Sequence, residues 1–161
     1  MEKLKFLGIG PKMVVITFPY LAIAIALSIV YFPLFRFAED PGKIIRFFGI
    51  LILLGGIVFY GFTANSLIRG LRKTQLLTSG TYSLCQNPLY AAFILMILPG
   101  LALILNSWLV LLTSLVMYVP FKIYIHQEYE EMERFFGDEY LEYRKNTPEL
   151  IPFPLKKWFG S

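Results

Sequence analysis

The stretch "LYAAFILMILPGLALILNSWLVLLTSLVMYVPFKIYI", Leu89 to Ile125, contains two apolar runs, Leu89–Leu105 and Trp108–Ile125, parted only by Asn106 and Ser107. Each run is just long enough to cross a bilayer, since a helical span needs roughly 17–25 apolar residues. A polar pair of this kind can cap the helix that follows it, and so short a connection forces its two helices to lie side by side. The stretch therefore predicts an antiparallel membrane hairpin. Outward from it, Met13–Phe35 and Ile44–Leu67 are two further apolar segments of full spanning length. The expected fold is all-α: a polytopic membrane protein with about four transmembrane helices (roughly 13–35, 44–67, 89–105 and 108–125), the last two a hairpin.

Composition agrees with that expectation. The 161 residues are 57% hydrophobic and only 16% charged, and the mean hydropathy of +0.61 excludes an ordinary soluble domain. The net charge of +4 does not point to nucleic acid, because the basic residues sit in short groups beside apolar segments, where membrane proteins carry them. The single cysteine, Cys85, cannot form an internal disulfide or a cysteine metal cluster and reads as a small packing residue; no metal is expected. Met13–Phe35 is too long for the core of a cleaved signal peptide and reads as a retained span. With no internal repeat or low-complexity linker, residues 1–161 read as one domain.

Prolines 19, 33, 99 and 120 fall within or at the ends of the apolar runs, where membrane helices tolerate them by kinking. The region of Pro99-Gly100 is the favoured position for such a kink. Lys3, Lys5 and Lys12 near the start, Arg69, Arg72 and Lys73 in the central loop, and Arg134, Arg144, Lys145, Lys156 and Lys157 later place both termini and the central loop in the cytoplasm. The first hairpin loop has Arg36 and Lys43 offset by Glu39 and Asp40, with Arg46 also on the outer side. The membrane would be a bacterial or archaeal inner membrane, or the endoplasmic reticulum of a eukaryote.

After Ile125 the chain turns polar, in "HQEYEEMERFFGDEYLEYRKN". Tyr129, Met132, Phe136, Tyr140 and Tyr143 recur at three- and four-residue spacing, which predicts a C-terminal amphipathic cytoplasmic helix with a break at Gly137. Trp158, with Lys156 and Lys157, would anchor the tail at the lipid headgroups.

Chemistry concentrates in two places. In "LLTSGTYSLCQNPLY", Thr78, Ser79 and Gly80 predict a turn, while Asn87 and Pro88 make a strong helix start, with asparagine as the cap and proline at the first helical position. The open end of that helix offers unpaired amides to an anionic group. Glu128 lies just beyond Ile125 and one turn before Met132, so its carboxylate can point toward the loop holding Asn87. A half-buried carboxylate needs a partner, and a cationic ligand group would supply one. Glu130, Glu131 and Glu133 read as a solvated face.

Taken together these pieces resemble the membrane methyltransferases that include isoprenylcysteine carboxyl methyltransferase and the phospholipid methyltransferases. The family pattern is similar to "LVTSGxY", then "RHPxY" or "RNPxY", then a helical hairpin, two glutamates, and "FGxEYxxY". Here the corresponding stretches are "LLTSGTY" (Leu76–Tyr82), "QNPLY" (Gln86–Tyr90), Glu128-Tyr129, "FGDEYLEY" (Phe136–Tyr143) and "TPELIPF" (Thr147–Phe153). The resemblance implies methyl transfer from S-adenosylmethionine to a hydrophobic or lipid-like acceptor, with a cofactor-binding part over about residues 74–161. It implies that Gln75, Leu76 and Leu77 act through their backbone, that Tyr82, Asn87, Pro88, Leu89 and Tyr90 line the cofactor, and that Glu128 binds its methionine portion. Three positions depart from the pattern: Gln86 stands for an arginine, Tyr129 for the second glutamate, and Tyr124 for the arginine that isoprenylcysteine enzymes carry one turn before the matching glutamate. His126 is a candidate cation or base beside them, and Tyr124 a candidate substrate contact. Alternatives at this stage are a phospholipid N-methyltransferase, a thiol S-methyltransferase, or a non-catalytic membrane binding or assembly protein that keeps the fold.

Overall fold

The computed structural model describes residues 8–39 and 42–151. The early lysines 3 and 5, Asp40, and the proposed tail anchor of Lys156, Lys157 and Trp158 lie outside the described residues. Helix α1 (Gly10–Val30) is followed by a single short turn α2 (Phe32–Phe35), the long α3 (Gly42–Lys73), α4 (Pro88–Ala91), α5 (Leu98–Leu105), α6 (Trp108–Phe136) and α7 (Asp138–Asn146). A π-helical stretch, Ala92–Ile97, joins α4 to α5 without interruption. Among the described residues, four helical runs are long and apolar enough to cross a membrane: Gly10–Val30, Lys43–Lys73, Pro88–Leu105 and Trp108–Phe136. The chain is an integral membrane protein.

Helix α1 buries Met13, Thr17, Ala24 and Ser28 on one narrow stripe, which packs on α6. Its other faces expose Val15, Phe18, Ile23 and Ile29, as expected of a helix whose solvent is lipid. Helix α6 in turn packs on α5, and α5 with the π stretch packs on α3, so the four spans stand in the order α1, α6, third span, α3. The last of these contacts is very close. A Cβ on Gly100 would stand 2.7 Å from the Leu53 backbone nitrogen and 2.9 Å from the Gly49 carbonyl oxygen, the small-residue approach that holds membrane helices together where no hydrophobic effect can.

Several boundaries differ from the sequence expectation. Tyr31 (φ −112°, ψ 43°) ends the first span before Pro33, so Phe32–Phe35 forms a separate turn. The second span continues past Leu67 to Lys73, because the polar Arg69, Arg72 and Lys73 are as good helix formers as the apolar residues before them. Helix α6 likewise runs unbroken for 29 residues through Ile125, so the amphipathic segment begins as the same helix as the fourth span and is separated only at Gly137. The distortion in the third span lies just before Pro99 rather than at it. Proline has no N–H and its ring crowds the carbonyl one turn back; the helix answers by widening, and the Leu98 N–H bonds the carbonyl of Phe93, five residues earlier.

At the end of the bundle away from the termini, Asn106 takes a left-handed conformation (φ 49°, ψ 46°) and Ser107 accepts the Val110 N–H at 3.2 Å as the cap of α6. Ser107 Oγ and the Asn106 amide nitrogen bond protein rather than lipid: Ser107 Oγ meets Ser28 Oγ at 2.6 Å and Asn106 Nδ2 donates to the Ala38 carbonyl at 2.9 Å.

Candidate functional site

The opposite end of the bundle gathers the start of α1, the loop between α3 and α4, the last turns of α6, and α7 with the segment after it. The loop begins with Thr74 in a left-handed conformation and a bond from the Gln75 N–H back to the Gly70 carbonyl (3.2 Å), which reverses the chain after α3. Leu77 then lies so tightly on Gly70 that a Cβ there would overlap it, and Leu76 packs against the main core cluster. A 3₁₀ turn, Gly80–Ser83, follows, and Cys85 is fully buried behind it. Burial pushes the Cys85 thiol up to about 11, against a smaller opposing effect of the Asn87 N–H.

Gln86 and Asn87 are fastened to the segment after α7. The Gln86 N–H donates to the Pro148 carbonyl (2.8 Å) and the Asn87 N–H to that of Glu149 (3.2 Å). The Gln86 side-chain amide donates to the carbonyls of Arg144 (3.1 Å) and Thr147 (2.5 Å), satisfying acceptors that the end of α7 leaves open. Asn87 occupies the cap position of α4, as its sequence setting suggests, but its side chain does not cap. Nδ2 donates instead to the Tyr129 hydroxyl (2.8 Å) and the Glu149 carbonyl (3.0 Å), while Pro88 removes one of the orphan N–H groups that a cap would have served. Tyr143 adds a bond from its hydroxyl to the Tyr82 carbonyl at 2.6 Å. Residues 144–149 thus form a strap across the loop.

Beside the strap lies Glu128. Its Oε1 accepts from the Tyr90 hydroxyl at 2.9 Å and from the backbone N–H of Ile9 at 2.8 Å. Two more tyrosines feel its charge. The Tyr82 phenol is pushed up by burial first and by the Glu128 carboxylate second; that of Tyr140 is pushed up to about 12 by burial, with Arg144 opposing and Glu128 reinforcing. Ion pairs among the described residues include Arg36–Glu39 and Lys122–Glu149, and neither involves Glu128. A carboxylate bonded by one phenol, with two more within reach of its charge and no basic partner among the described residues, is suited to a cationic ligand, which gains both the charge and the aromatic faces.

Tyr129, one residue on, heads a second polar cluster. Its hydroxyl donates to Glu149 Oε1 (3.1 Å), Lys122 Nζ holds Glu149 Oε2 (2.7 Å), and the Arg144 guanidinium lies 4.4 Å from the Tyr129 ring centre. Of the residues singled out by sequence, Tyr82, Asn87, Pro88, Tyr90 and Glu128 therefore converge, with Leu89 partly buried among them. Gln75 is exposed, and its backbone N–H is spent on the Gly70 carbonyl. His126 is exposed, with its ring edge-on to Tyr129 at 6.2 Å. Tyr124 sits under the Lys12 ammonium, 4.9 Å from the ring centre, while Lys12 Nζ also bonds Gln127 Oε1 at 2.8 Å. Sequence reasoning missed Glu149, which the "TPEL" stretch offered as a signal, and Ile9, which acts through its backbone and carries no signal.

A family model described as phospholipid methyltransferase matches residues 42–139. The chain belongs to the phospholipid methyltransferase family. That match runs from the start of α3 into α7, and leaves α1 and the 144–149 strap outside it. Among curated proteins, the protein-S-isoprenylcysteine O-methyltransferase of Schizosaccharomyces pombe is 38% identical over 77 residues, which is 48% of this chain and 33% of that protein. The protein of the same name from Mus musculus is 30% identical over 78 residues, or 48% of this chain and 28% of its own length. Protein-S-isoprenylcysteine O-methyltransferase B of Arabidopsis thaliana is 24% identical over 131 residues, 78% of this chain and 66% of that protein. The chain spans less than two thirds of the length of these relatives. No solved structure gives a significant match to the chain. Membership of the phospholipid methyltransferase family implies a methyl donor.

Proposed function

We propose that this chain is a membrane methyltransferase that uses S-adenosylmethionine and acts on a hydrophobic, lipid-like acceptor. The observation that carries the reading is Glu128: a carboxylate with Oε1 fixed by Tyr90 and Ile9, phenols around it, and no basic partner among the described residues. The ammonium of an amino acid end fits that vacancy of charge, and the open end of α4 with the backbone of Leu76 and Leu77 would serve its carboxylate. When bound, S-adenosylmethionine would supply a methyl group already activated by a positive sulfonium. The chain's own task is then alignment, which contributes roughly 7–11 kcal/mol where reacting atoms are held in line, and exclusion of water.

Within this reading a carboxylate acceptor is favoured. It carries no proton to remove, so the exposed His126 is not needed as a base. Tyr124 itself offers no cation where isoprenylcysteine enzymes have arginine, but the Lys12 ammonium lies over its ring, supplied from α1. The acceptor's apolar tail would enter between spans from the bilayer, and the cofactor from the cytoplasm.

Labelled methyl transferred from S-adenosylmethionine into a membrane lipid extract is expected to be released as methanol by base, and Lys12→Gln is expected to raise the acceptor KM up to about fivefold. Base-stable label would overturn the carboxylate acceptor. Calorimetry in detergent is expected to find S-adenosylmethionine binding that Glu128→Gln weakens about 10- to 100-fold, the loss of a charge-assisted hydrogen bond. No binding at millimolar cofactor would end the enzyme reading.

A further inference from the structure

We propose that the start of the first span, Gly8 and Ile9, is a positioning element of the cofactor site, which sets the Glu128 carboxylate so that one oxygen is held by protein and the other is presented to ligand. The proposal rests on the reading of Glu128 as the partner of the cofactor's ammonium. Its basis is the division of labour between the two oxygens. Both bonds, from the Ile9 N–H and the Tyr90 hydroxyl, fall on Oε1, and Oε2 has no partner among the described residues. Two donors from different helices fix a carboxylate's rotation far better than one, because a single bond leaves the group free to pivot about it.

The local sequence is shaped to allow this contact. Gly8 has φ +45°, a conformation that L side chains rarely adopt, and a Cβ built on it would overlap Glu128 Oε1. Ile9 is 2% exposed and Met13 1%, so the first turn of α1 is anchored in the core beside α6. Lys12, one turn on, bonds Gln127 and covers Tyr124, which fixes the same turn to α6 on its outer side. The N–H of Ile9 belongs to the helix start, where backbone donors lack intrahelical partners and the helix dipole favours a negative group. A carboxylate from a helix more than a hundred residues later takes that place ~119 positions along the chain. Helix α1 lies outside the region that identifies the family, so nothing in the family match assigns it a part in the site.

The test compares two ligands by calorimetry on the full-length protein in detergent: S-adenosylmethionine, and methylthioadenosine, which shares the nucleoside and sulfur but lacks the amino acid end. Ile9→Pro removes the N–H and retains an apolar ring; Ile9→Val keeps the N–H; Gly8→Ala drives the segment off the carboxylate. Ile9→Pro and Gly8→Ala are expected to weaken S-adenosylmethionine binding about tenfold or more, while methylthioadenosine binding stays unchanged and Ile9→Val matches the parent. Variants that keep the parent's preference overturn the proposal. So does an equal loss for both ligands, which marks simple unfolding, and so does an Ile9→Val loss as large as that of Ile9→Pro. If the parent protein itself shows no preference for S-adenosylmethionine over methylthioadenosine, the reading of Glu128 fails and this proposal falls with it.

Discussion

Gln86 shows what a side chain's position can hide from a reader of sequence. Set against a family arginine, it looks like a lost charge; in the fold its amide hydrogens serve the carbonyls of Arg144 and Thr147, a task that needs N–H donors and not a cation. Asn87 was legible as the residue before a helix, but its amide turns away to Tyr129 and Glu149, partners 42 and 62 residues distant that no local rule connects. Glu128 was legible as a carboxylate near Asn87's helix, and Tyr90 is the residue it meets. Replacing Gln86 with Ala detaches one side of the strap, and thermal unfolding in detergent is expected to report a loss of about 1–3 kcal/mol. Cys85 gives a second expectation. With its thiol pushed up to about 11 by burial, maleimide labelling near neutral pH is expected to be at least ~100-fold slower in the native protein than after denaturation.

Helices were the most legible level, because an apolar run of spanning length has few alternatives in a bilayer. Their ends were not, since polar residues such as Arg72 or Gln127 continue a helix as readily as they end one once it is packed. The π stretch at Ala92–Ile97 illustrates a different limit: Pro99 announces a distortion, and packing decides which turn absorbs it. Gly137, in contrast, was readable as a break. Its φ of +55° with ψ of −132° lies where a side chain is strained, and it sets the angle at which α7 returns to the loop. Gly137→Ala is expected to destabilise the protein by about 1–3 kcal/mol and to weaken cofactor binding along with it, measured as a fall in melting temperature and a rise in Kd.

Charge and connectivity join at the level of the bundle. The site end carries Lys12, Arg69, Arg72, Lys73, Arg144 and Lys145, while the other end carries Arg36, Lys43 and Arg46, with Arg36 paired to Glu39. By the positive-inside rule that asymmetry predicts a cytoplasmic site. Cysteines introduced at Lys145 and at Glu39 in a Cys85→Ser background are expected to be protected and labelled, respectively, by a membrane-impermeant maleimide added to intact cells; the reverse pattern would invert the topology.

The strap has one more consequence, and it concerns time. A chain made from its N-terminus delivers Gln86 and Asn87 to the membrane long before residues 144–149 leave the ribosome. Until then four donors at the mouth of the third span have only water or headgroups to bond. The spans can therefore be inserted and correctly threaded while this loop is still unfastened, and a nascent chain stopped short of Glu149 would be a resident of the bilayer whose candidate site is not yet assembled.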